Sequence, residues 1–457
     1  MSNFCLAVQD LRATTARLLF LFSIRTSDVD TGALFVCSDP QRPLAAARIA
    51  LDSKGDAHFI YGRSYLRRAD AFALDPILLP LSENQMRIPR RTDGSYGILS
   101  DAGPNAWGAR VTASIFRQRG KPLPVTIIDW LLAASHHGAG CLAFSPAPDV
   151  MPALRPVPAS VSQLNARLLQ VVEALAAHGD TELDEEVLRL VSPGASLGGM
   201  RPKTVVVHNG VEHIAKFSRA DDLFNVPVAE YATMRLAYLA GIDVPDFELE
   251  HVTDRMVLLV ARFDRDAAGG RQHYISAKTL IDIDVLSQDR REYRTRYSYA
   301  GIAESARGMS DSIVADSQQL FRRMVFNILV GNVDDHLRNH GYLMNRPGNY
   351  ALSPAFDLLP HLEAMNTPQS IGVGAYGAAS TMANALTQCG RFFLTQDEAR
   401  ETIAQVRQAV STWRSVFHEA GMSQTDMHTL AGCFEAADQA ERTAIAFAKP
   451  TAAPAPD

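Results

Sequence analysis

The stretch from Leu320 to Pro360 constrains this chain more than any other. An apolar helical run, LFRRMVFNILV, ends in GNVDDHLRNH; GYLM and YALS then flank the turn RPGN as a hairpin, which delivers PAFDLLP. Asp and Asn are common in turns, so a helix exit decorated with them is unremarkable by itself. Helix, polar loop, hairpin and a final aspartate in this order are much harder to dismiss.

Asp334 and Asn339 in DDHLRN stand five positions apart. In protein kinases that spacing separates the catalytic aspartate from a metal-binding asparagine, and a second metal-binding aspartate follows. Asp357 in AFDLL occupies the corresponding place. Asp335 and His336 adjoin Asp334, and either is a candidate to support or orient it.

Phosphoryl transfer also needs a cradle over the phosphates and a cation on them. Gly198 and Gly199 in SLGGMRPK permit a loop whose N–H groups approach phosphate, although the pattern is neither GxxxxGK[ST] nor GxGxxG. KTVVVH, residues 203–208, reads as a strand, Asn209-Gly210 as a two-residue hairpin turn, and Val211 to Phe217 as the returning strand. On it Lys216 shares a face with Ile214, while Ala215 and Phe217 point the other way. A helix from about Pro227 to Ala240, with Asn225 as N-cap and Gly241 as its stop, carries Glu230 where a kinase keeps the glutamate that pairs with its lysine. The chain has six lysines against 38 arginines (44 − 6), so a lysine marks a place where a compact ammonium is wanted. Lys203 and Lys216 are two of the six. Met256 to Ala261 reads as a buried strand.

Composition bounds the rest. At 457 residues, 47% hydrophobic and 21% charged, with mean hydropathy −0.05, the chain suits two or three soluble domains. A net charge of −6 argues against broad binding to a phosphate backbone. Five scattered cysteines form no CxxC pair, which fits reduced thiols in the cytoplasm and neither a zinc knuckle nor a disulfide framework. The apolar run Ala16 to Ile24 contains Arg17 and is too short to span a bilayer, so no membrane role is expected. The stretch from Phe144 to Ser162, with five prolines, reads as a linker; helices are expected near 160–177, 181–190, 396–420 and 424–447.

SLGGMRPKT, VARFDR, FNILVGNVDDHLRNHGYLM and LSPAFDLLP resemble, in order and spacing, the signature segments of the HipA family. YGRSYLRRADAFALDPILLPL and GILSDAGPNAWGARV resemble that family's amino-terminal part. The resemblance covers roughly residues 31–445. It implies an α+β, two-lobed protein-kinase-like fold with an added N-terminal subdomain. The expected divisions are an extension over 1–30, the subdomain over 31–150, an N-lobe with the glycine-rich loop over 151–262, a C-lobe over 263–448 and a disordered tail over 449–457. It further implies an ATP- and Mg²⁺-dependent serine/threonine kinase acting as the toxin of a toxin–antitoxin pair. By that likeness Asp334 is catalytic, Asn339 and Asp357 bind Mg²⁺, and Lys216, Gly198, Gly199, Glu230 and His336 belong to the nucleotide site. The backbone of Val260, Arg262 and Phe263 would meet adenine, and Ser196 would be autophosphorylated. The implied partners are a helix-turn-helix (HipB-like) antitoxin, operator DNA through it, and a protein substrate such as an aminoacyl-tRNA synthetase. Met200 departs from the small residue commoner at its position. A small-molecule or lipid kinase of similar fold, and a non-catalytic co-repressor, are the competing readings.

Overall fold

Strand β1 (Thr31–Val36) is buried on both faces. Leu34 and Val36 enter the main core, while Ala33 and Phe35 close a small cluster with Cys37 and Ala143. Such a strand belongs at the interior of a sheet, and it lies between β2 (Leu44–Leu51) and β5 (Leu142–Ser145). With β3 (Ala57–Tyr61) and β4 (Met86–Ile88) they form an antiparallel sheet of order β4-β3-β2-β1-β5. The computed structural model describes residues 30–104, 106–134, 138–152, 158–178, 181, 183–192, 199–266, 268–282 and 295–448. The N-terminal extension up to residue 29, Ser196, Gly198 and the tail from residue 449 lie outside them.

A second five-stranded sheet has the order β6-β7-β8-β10-β9. It comprises β6 (Ala159–Ser160), β7 (Lys203–His208), β8 (Val211–Lys216), β9 (Phe247–Val252) and β10 (Arg255–Ala261). Asn209 and Gly210 both take positive φ, 50° and 80°, as a two-residue turn with left-handed central residues requires. The proline-rich stretch is not wholly a linker, because Ala159-Ser160 pairs in parallel with Val206-Val207 as an edge strand. One face of this sheet is covered by apolar side chains of three helices, α1 (Ala106–Gln118), α2 (Ala166–His178) and α3 (Glu185–Val191). Helix α2 starts later than its apolar period, because Ser160 caps a short 3₁₀ turn over Val161–Gln163 first. Asp184 caps α3 by accepting from the Val187 N–H. Helix α4 (Val226–Leu239) begins at Asn225, whose side chain accepts from the Val228 N–H, and stops before Gly241 at φ 74°.

The remaining lobe is mostly helical. It contains α5 (Tyr299–Ser305), α6 (Ile313–Val330), α7 (Gln396–Val410), α8 (Trp413–Glu419) and α9 (Gln424–Ala448). Ser411 and Thr412 break the expected helix over 396–420 into two, with Ser411 as the cap of α7. Helix α6 carries Leu320, Phe321, Met324, Val325 and Ile328 into the core and ends at Gly331 in the left-handed region. A three-stranded sheet of β11 (Tyr274–Ser276), β12 (Gly341–Arg346) and β13 (Asn349–Leu352) flanks it. The result is a two-lobed protein-kinase-like fold with an added N-terminal subdomain.

That subdomain is welded on. One apolar cluster runs from Leu34 and Phe59 to Leu320 and Phe417. Polar contacts reinforce the seam: Ser276 with Asp101 (2.7 Å), Lys278 with Asp93 (2.7 Å), Arg91 with Asp282 (2.5 Å), and the Gly140 N–H with Asp264 (2.7 Å). Among the described residues no helix is long and apolar enough to cross a membrane.

Candidate active site

Period two on β8 sends Ala215 into the apolar cluster with Phe217 beyond it, so Lys216 emerges on the other face. There it meets Glu230, buried on α4 by the helical period, in a direct ion pair. Asp357 Oδ1 lies 3.4 Å from the same ammonium. Burial would lower the Lys216 pKa, but Glu230 and Asp357 outweigh it and the value is raised. Burial would likewise raise the Asp357 carboxyl; Lys216, Lys203 and His336 overcome that and hold it at about 2. Asp357 is about half exposed and sits at φ 60°, a left-handed conformation that few residues other than glycine adopt. Non-glycine residues held so tend to cluster at functional sites.

The catalytic-loop candidates follow α6. Asp334 is exposed, whereas Asp335 is buried, so the two neighbours divide the work. Asp335 Oδ2 accepts from Asn327 on α6 (2.7 Å), from His340 Nε2 (2.9 Å) and from the Tyr299 hydroxyl of α5. These bonds tie both ends of the loop to the helical lobe. Burial opposes ionisation of Asp335, but His340 and the hydrogen bonds from His340 and Tyr299 prevail and lower its pKa. Asn339 is buried in the 3₁₀ turn Leu337–Asn339, its N–H donating to the His336 carbonyl (2.8 Å). His336 Nδ1 is buried with no hydrogen-bond partner among the described residues.

The strand after Val260 behaves in two ways. The Arg262 guanidinium is committed to Asp264 (2.8 Å) and the Gly138 carbonyl (2.7 Å), and the Arg262 backbone N–H donates to the Glu212 carbonyl (2.9 Å). Its side chain therefore braces the subdomain seam. The Phe263 ring lies 5.6 Å from that of Phe356, which precedes Asp357. Gly199, at φ 86°, is the member of the glycine pair within the described residues.

Two residues went unassigned in the sequence. Lys203 stands directly across the ladder from Lys216, and its ammonium lies so close to Gly199 that a Cβ there would come within 2.6 Å of it. Burial first, then repulsion from Lys216, lowers Lys203 to about 8. The scarcity of lysine was the signal for it. Trp107 on α1 contacts the same segment through two hydrogen bonds, and nothing in its local sequence announces that. Elsewhere the ligand atoms of His208, Glu248 and Glu250 gather within 4.8 Å at the opposite end of β7, with His208 Nε2 2.8 Å from Glu248 Oε1.

Residues 195–413, which hold all of these groups except Trp107 and Gly138, match the family model described as the HipA-like C-terminal domain. Residues 195–413 form a HipA-like C-terminal domain. This HipA-like chain is 27% identical over 247 residues to the serine/threonine-protein kinase toxin HipA of Shewanella oneidensis, an alignment covering 48% of this chain and 53% of that one. It is 26% identical over 195 residues to a putative kinase of Haemophilus influenzae, covering 38% and 56% of the two chains. It thus spans about half the length of the curated relatives it matches. Among solved structures, the HipA chain in a complex of Shewanella oneidensis HipA, HipB and operator DNA superposes with a TM-score of 0.63 at 17% identity, over 90% of this chain and 97% of that one. At that identity the likeness speaks for the HipA-like fold.

Proposed function

We propose that this chain is an ATP-dependent protein serine/threonine kinase and the toxin of a toxin–antitoxin pair. One observation carries the reading: Lys216 is held between buried Glu230 and half-exposed Asp357, while Asp334 stands exposed on the loop before the hairpin that brings Asp357. In this reading Lys216 and Lys203 bind the ATP phosphates, and Asp334 accepts the proton of the attacking hydroxyl. Asn339 and Asp357 offer the hard amide and carboxylate oxygens that Mg²⁺ takes, and they would hold it. Bound there, Mg²⁺ would neutralise phosphate charge. The backbone of Val260, the Arg262 carbonyl and Phe263 would meet adenine, and Ser196 would be the autophosphorylation site.

The names of the relatives support the toxin role. The protein substrate is proposed to be translation-related, such as an aminoacyl-tRNA synthetase, and the partner a HipB-like antitoxin that links the kinase to operator DNA. The test is transfer of radioactive phosphate from ATP by the purified protein, with and without Mg²⁺. Asp334→Ala should lose about 10²–10⁴-fold, as when a positioned proton acceptor is removed, and Asp357→Ala at least as much. Labelling of Asp334→Ala at the wild-type rate would refute the reading.

A further inference from the structure

Trp107 lies in the first turn of α1, in the part of the sequence assigned to the added subdomain, and is 1% exposed. Its ring belongs to the apolar cluster under the second sheet, with Val111, Leu168 and Val206. A phenylalanine would meet that packing need. The indole N–H, however, donates to the Lys203 carbonyl at 2.7 Å. The backbone N–H of Trp107, one of the first-turn groups that no helix satisfies internally, donates to the Gly199 carbonyl at 3.1 Å. One residue thus grips both ends of the segment Gly199–Lys203.

Between those ends the segment is held from two further sides. The Pro202 carbonyl accepts from the Phe217 N–H (3.1 Å), and Arg201 pairs with Asp222 (2.5 Å). The Lys203 side chain folds back so that its ammonium abuts Gly199. The backbone that Trp107 fixes is therefore the backbone from which this cation is aimed. We infer that Trp107 is a positioning residue, through which helix α1 holds the stem of the glycine-rich loop and sets its grip on ATP. The inference rests on the kinase reading above and gives α1 a part in nucleotide binding.

Trp107→Phe removes the indole donor and keeps most of the apolar volume. Val111→Ala, in the same cluster, thins the packing and touches neither carbonyl, so it serves as the structural control. For the full chain, the Kd for ATP with Mg²⁺ is measured by titration calorimetry, kcat and KM for ATP by steady-state ATP turnover, and Tm by scanning calorimetry. Trp107→Phe should raise Kd and KM about fivefold, the equivalent of one ordinary hydrogen bond, with kcat within about twofold of wild type. Val111→Ala should lower Tm and leave Kd and KM unchanged. An unchanged KM in Trp107→Phe, or an equal rise in Val111→Ala, overturns the inference while leaving the kinase reading intact. A wild-type chain that binds no ATP defeats that reading, and this inference with it.

Discussion

Removing Glu230 tests whether Lys216 is held as described. Glu230→Ala deletes a carboxylate that is 3% exposed and leaves the Lys216 ammonium, 13% exposed, with Asp357 at 3.4 Å. Breaking a buried ion pair by deleting one partner typically costs about 3–5 kcal/mol. Asp357 remains as a partner and is itself half in water, so the lower end applies, about 3 kcal/mol, or roughly a hundredfold in the folding equilibrium. Glu230→Gln keeps an acceptor and loses only the charge, which should cost about half as much. Urea unfolding at neutral pH, followed by circular dichroism, measures both. Lys216→Met combined with Glu230→Ala should recover most of the loss, because the buried pair is then removed whole, and Asp357 is half in water and keeps the nearby charge of Lys203. A cost below about 1 kcal/mol for Glu230→Ala, in the range of a solvent-exposed pair, would show that the buried pair does not form.

Lys203 gives a pH test. Its folded value of about 8 lies below that of lysine in an unfolded chain, so the unfolded state binds the proton more tightly, and stability rises from about pH 8 towards the ordinary lysine range. Urea melts at pH 7.5 and 9.5 should reveal this rise, and Lys203→Met should flatten it; an identical slope in the variant refutes the assignment. Asp335→Ala strands three buried donors, from Tyr299, Asn327 and His340, and should destabilise by about 3 kcal/mol or more; a midpoint equal to wild type in the same melts would count against a structural role. Mass spectrometry of active enzyme should find phosphate on Ser196, and Asp334→Ala should lack it. Phosphate on Ser192 instead would move the site to the end of α3, where that hydroxyl donates to the Leu188 carbonyl at 2.5 Å.

Much of this arrangement was legible from local rules. Asn209-Gly210 dictated its turn, Asn225 and Gly241 bounded α4, and period two put Lys216 opposite Ala215. Lys216, Glu230 and Asp357 were named apart and meet in space. What escaped depends on contacts far apart in sequence. Trp107 reads as an apolar helix residue until its indole nitrogen is seen beside Lys203, 96 residues away. The guanidinium of Arg262 turns to Asp264 and to the Gly138 carbonyl, 124 residues away, which its place in VARFDR does not announce. Apolar period overran the ends of α2 and α7, because caps at Ser160 and Ser411, rather than the period, set those boundaries.

The prolines between residues 146 and 158 invite an experimenter to divide the gene there. The apolar cluster shared by Leu34, Phe59, Leu320 and Phe417 crosses that point. A fragment starting at Ala159 would carry into water the face that Phe72 covers at His273, where the two rings lie 5.1 Å apart, and would leave Ser276 and Lys278 without Asp101 and Asp93. Neither half would make a sound expression product. Co-expressed, the halves have a ready-made seam on which to reassemble, which makes this position a natural place to split the gene for conditional reconstitution.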